Sequence, residues 1–98
     1  MNRLIQHTPP HPGEILLEFY LEPLKINITQ AAEKLLITRP NMSAILNGKA
    51  GISPVMAVKL AKAFKTSPHY WLNMQASHDL WAVLQNNKTL SNQVEVLL

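Results

Sequence analysis

Apolar residues recur at helical spacing in five stretches, and a start signal precedes each one. The first runs from Pro12 toward Pro23, with Ile15, Leu16, Phe19 and Tyr20 as its expected inward face. Pro12 suits a first helical position, and Glu14 sits where a helix N-terminus favours negative charge. Asn27 and Gln30 have the spacing of a capping box ahead of Ala31, Ala32 and Leu35. Thr38 caps the next stretch, with Pro40 in its first turn, where a missing N–H costs nothing. Met42, Ile45 and Leu46 form that stretch's apolar side, and Gly48 is placed to end it in a left-handed conformation. Ser53-Pro54 opens a helix whose buried stripe is Met56, Ala57, Leu60, Ala61 and Phe64; Ser67-Pro68 opens a longer one, to about Gln85.

The pair of short helices spanning 27–47 organises the rest. Ala32 is small, which allows the two helices to approach. Successive residues of a helix are offset by about 100°, so Arg39, Ser43 and Asn47 share the outer face of the second helix, beside Pro40 and Ala44. Asn41 lies on the flank near the helix start. Arginine pairs with guanine, asparagine with adenine and serine with either, so this face suits base edges in a major groove. The loop Asn47-Gly48-Lys49-Ala50-Gly51 lacks the spacing of a phosphate-binding nucleotide loop. It reads instead as a helix stop, with Lys49 placed to touch DNA phosphate.

The last helix is apolar on two sides. Trp71, Met74, His78 and Trp81 make one stripe; Leu72, Ala76, Leu80 and Val83 make the other. In so small a domain a helix apolar on two sides calls for a second partner, and a two-fold copy is the economical one. The first stripe is the expected dimer face. Residues 1–10 read as a flexible arm, 11–85 as the folded domain and 86–98 as a tail, in which Val94-Glu95-Val96 hints at a strand. His7 and His11 have metal-binding spacing only on a helix, which Pro9, Pro10 and Pro12 forbid, so no metal and no cofactor are expected.

The net charge is +3, unevenly spread. Glu14, Glu18, Glu22 and Glu33 crowd the first third, whereas no carboxylate lies between Lys34 and His78 and six basic residues do, counting Lys34. That middle segment attracts a polyanion. With no cysteine the chain builds neither disulfide framework nor zinc finger, which fits a cytoplasmic protein. No apolar run spans a membrane, and the first residues lack a signal peptide's apolar core. An enzyme is not expected: the single aspartate and the carboxylates at i, i+4 and i+8 of the first helix make a solvated face rather than an acid–base pair.

The runs HPGEILLEFYLEPL, TRPNMSAILNGKAGISPVMAVKLAKAF and TSPHYWLNMQASHDLW, across residues 11 to 82, resemble the HigA-type antitoxins of the XRE helix-turn-helix superfamily, a pattern shared by proteins called virulence-associated protein I (VapI). The resemblance implies an all-α, five-helix lambda-repressor-like helix-turn-helix domain with a short C-terminal extension, dimeric through its C-terminal region. It further implies an antitoxin that represses its own operon by binding double-stranded operator DNA and neutralises a RelE-like, mRNA-cleaving toxin, HigB. Carried onto this chain, the family's base-reading positions are Arg39, Asn41, Ser43 and Asn47, with phosphate contacts from Thr29, Gln30 and Thr38.

The chain departs from the family at two positions. Leu36 stands where the family usually has the turn glycine, and a left-handed backbone there would cost about 1–2 kcal/mol. Ala44 replaces a larger polar or basic side chain, leaving Arg39 as the only charge on the second helix. Specific binding is therefore expected to need two half-sites held by a dimer. A stand-alone XRE-type regulator, or a toxin-binding module with weak DNA binding, is the alternative function.

Overall fold

A computed structural model describes residues 8–98. The fold is all-helical: α1 is Pro12–Leu16 continued by a π-turn over Leu17–Leu21, α2 is Ile28–Leu35, α3 is Arg39–Leu46, α4 is Pro54–Phe64 and α5 is Pro68–Asn86. A 3₁₀ turn over Leu90–Gln93 follows, and residues 94–98 form no strand with any of the described residues. The strand hinted at by Val94–Val96 is therefore not formed.

Four of the five start signals function as caps. Asn27 Oδ1 accepts from Gln30 N at 2.8 Å while Asn27 N donates to Gln30 Oε1 at 2.9 Å. Thr38, Ser53 and Ser67 hydroxyls accept from the N–H groups of Asn41, Met56 and Tyr70. These contacts satisfy N–H groups that a helix leaves orphaned.

The core gathers Leu16 and Leu21 of α1, Ala31, Ala32 and Leu35 of α2, Met42, Ile45 and Leu46 of α3, and Met56, Ala57 and Leu60 of α4 around Trp71 of α5. The inward face of α1 differs from the sequence expectation. Phe19 is 58% exposed, and Leu21 is buried instead. The reason is the π-turn: Glu22 N bonds Leu17 O at 2.9 Å, five residues back, and the extra residue rotates the following positions around the axis.

Trp71 is also placed differently. It is 0% exposed, donates from Nε1 to Thr66 Oγ1 at 2.7 Å and meets Tyr20 and Tyr70 ring to ring. It is a core residue and presents nothing to a second copy. The rest of its stripe is half-buried, partly beneath residues 9–11. Pro9 O lies 3.1 Å from His78 Nδ1, and the His11 and His78 rings meet edge-on at 5.1 Å. Pro9 and Pro10 are thus half-buried against α5, while residues 1–7 of the expected arm, with His7, lie outside the described residues. The other stripe divides: Leu72 is half-buried against the core, while Ala76, Leu80 and Val83 are exposed, as is the neighbouring Leu84.

Candidate nucleic-acid interface

α2 and α3 pack together and are joined by the turn Leu36–Thr38. Leu36 adopts φ 57°, ψ 45°, the left-handed conformation that normally selects glycine. Its N–H still reaches back to Glu33 O at 3.3 Å, and Ile37 N closes the turn on Ala32 O at 3.0 Å. Gly48, at φ 75°, ends α3 in the left-handed conformation its sequence position suggested.

Arg39, Pro40, Asn41 and Asn47 are exposed on α3, while Ser43 and Ala44 are half-buried. Two bonds hold these side chains in place before any ligand arrives. Arg39 Nε donates to Thr29 Oγ1 of α2 at 3.0 Å, which fixes the guanidinium across the helix pair. Asn47 Nδ2 donates to Ser43 Oγ at 3.2 Å, one turn apart. Arg39, Ser43 and Asn47 therefore form one face, and Thr29, Gln30 and Thr38 surround the helix starts at its edge. Asn41 is set to the side, lining a cleft with Ile37, Val55 and Lys59. Lys49 is exposed in the exit loop.

The loop after α3 is held from two directions that the sequence did not disclose. His11 Nδ1 accepts from Gly13 N at 2.9 Å and so caps α1. The same ring also faces the Ala50 backbone and lies against Gly48. From α5, Gln75 Oε1 accepts from Ile52 N at 2.7 Å, and Gln75 Nε2 donates to Asp79 Oδ1 at 2.9 Å. Burial, and then the neighbouring His78, hold the His11 imidazole below its ordinary value of 6.5, partly offset by Asp79, Glu14 and the Ala50 contact. A neutral ring is what a cap that accepts through Nδ1 requires. Gly13 allows α1 to pass directly over the end of α3, since a Cβ there would overlap the Ile45 carbonyl. A histidine before proline is not among the usual cap signals, so these roles were not legible beforehand.

A helix-turn-helix family model matches residues 17–71, more than half of the chain. The chain belongs to the XRE-type helix-turn-helix family. Within it, virulence-associated protein A of Dichelobacter nodosus is 55% identical over 74 residues, covering 74% of this chain and 72% of that protein. Antitoxin HigA-1 of Vibrio cholerae is 38% identical over 79 residues, covering 81% of this chain and 74% of that one. The solved antitoxin HigA of Pseudomonas aeruginosa, with the higBA promoter, superposes with a TM-score of 0.85 at 34% identity, covering 92% of this chain and 99% of that chain. These XRE-family matches agree with the five-helix architecture expected from the resemblance. Among the described residues no helix is long and apolar enough to cross a membrane.

Proposed function

We propose that this chain is a sequence-specific DNA-binding repressor and the antitoxin of a HigBA-type pair, which represses its own operon and neutralises an mRNA-cleaving toxin. The observation that carries the reading is the α3 face: Arg39 tied to Thr29, and Asn47 tied to Ser43, on a helix whose other side is core. Arg39 takes a guanine edge in the major groove, and Asn41, Ser43 and Asn47 contact bases beside it. Thr29, Gln30, Thr38 and Lys49 hold the flanking phosphates. The relatives add support, since the Pseudomonas HigA was solved with a promoter and the Vibrio protein is named an antitoxin.

One α3 with a single charge reads too few bases for a monomer to be specific. The working unit is a homodimer that places two α3 helices in successive major grooves, about 34–36 Å apart. Its contact uses the exposed Leu80, Val83 and Leu84 end of α5 with Trp81 at its border. Met74 and His78 support that helix from the side facing the domain.

A gel-shift titration with the chain's own upstream DNA tests the reading. Affinity should fall with salt by a log–log slope of about 0.9 per phosphate contact. Arg39→Ala should weaken binding by about 5- to 150-fold per protomer and relax sequence preference. Salt-independent or absent binding, with a toxin still captured from the neighbouring reading frame, would replace the repressor with an interaction module.

A further inference from the structure

Two surfaces outside the α3 face are unexplained by the fold. The first is a groove of about 310 Å³ at the seam of α2 and α4, walled by Leu36, Val58 and Ala63 and rimmed by Lys34, Lys59 and Lys62. Leu36 burdens the fold twice: it holds a left-handed backbone, and its side chain is 79% exposed. Lys59 Nζ donates to the Leu36 carbonyl at 3.2 Å, which ties the rim of the groove to the turn. Val58 is also exposed. Large apolar side chains standing in water within a lysine frame match an apolar anchor carried beside a carboxylate, and they match phosphate poorly.

The second surface is such an anchor. The π-turn of α1 swings Phe19 out of the core and leaves it on the surface, with Glu22 exposed three residues on. Bulges of this kind often mark functional positions. Groove and knob belong to one chain, have opposite charge, and include no residue of α3.

We propose that the α2–α4 groove receives the Phe19 knob of a second copy of this chain, with Glu22 meeting the groove's lysines. The contact is small and separate from the α5 end, so it is weak in free solution. It acts where copies are already held close together, as when two dimers occupy adjacent DNA sites. The contact itself is independent of the DNA reading and needs no operator DNA for its test.

The test is a dilution series of the isotope-labelled full chain, followed by amide NMR. Concentration-dependent shifts are expected at Leu36, Val58 and Lys62 and around Phe19, shrinking with added salt. Phe19→Ala should raise the dissociation constant about tenfold or more, as for a central aromatic anchor. Leu36→Gly, which relieves the backbone, should weaken the contact without harming the fold. Glu22→Lys and Lys62→Glu are both at exposed positions; each alone should lose the contact, and an equimolar mixture should regain it. Concentration-dependent shifts confined to Leu80, Val83 and Leu84, or unchanged in Phe19→Ala and Leu36→Gly, overturn the proposal. So does a groove that responds only to unrelated duplex DNA or to an added acidic helical peptide.

Discussion

Replacing Leu36 by glycine, and separately by alanine, isolates the strain in the helix-turn-helix. Both variants remove nearly all of a side chain that is mostly in solvent, so lost burial is small and similar for the two. They differ in the left-handed backbone at φ 57°. Alanine keeps the Cβ clash, worth about 1–2 kcal/mol, which glycine removes. Glycine in turn loosens the unfolded chain by about 0.4–1 kcal/mol. The difference leaves the glycine variant more stable than the alanine variant by roughly 0.5–1 kcal/mol. For a domain of this size that corresponds to a melting temperature roughly 2–8 °C higher. Urea and thermal melts followed by circular dichroism measure it, at one fixed protein concentration because self-association shifts the midpoint. Lys65, also at φ 57°, supplies an internal repeat through Lys65→Gly and Lys65→Ala. If the alanine variant equals or exceeds the glycine variant at position 36, the turn is not left-handed and the reasoning fails.

Other positions give sharp outcomes. Gly13→Ala forces a methyl against the Ile45 carbonyl and should cost about 1–3 kcal/mol in urea melts; an unchanged midpoint would mean α1 does not cross α3 so closely. Gln75→Ala orphans the Ile52 N–H and should cost about 1–3 kcal/mol, with weaker operator binding because the loop after α3 loosens; gel shifts and melts read both. His11 has a lower pKa in the fold than its ordinary 6.5, so between the two values the unfolded chain binds more protons. Its contribution is therefore complete above pH 6.5 and is lost as pH falls through the depressed folded value. Stability profiles of His11→Asn, which can still cap but does not titrate, should lack that acid-side loss, and an unchanged profile would assign it to other groups.

How far the sequence could be read follows from the range of each interaction. Asn27, Thr38, Ser53 and Ser67 announced four helices because a cap is settled between residues two or three apart. The faces of α2, α3 and α4 followed from helical periodicity, since a regular helix keeps its phase. Periodicity failed in α1, where a π-turn changed the phase and exchanged Phe19 for Leu21. It also misjudged α5, whose two stripes were both visible but not their destinations. Trp71 went into the chain's own core, and Pro9 to His11 came back across His78. The choice between a partner's surface and the chain's own N-terminal segment depends on contacts nearly seventy positions apart, Pro9 to His78, which no local pattern encodes. Local order along the chain thus determined the elements and the exposed Arg39 face. Tertiary packing alone decided that His11 and Gln75 hold that face in place, because burial and distance exist only once the helices have met.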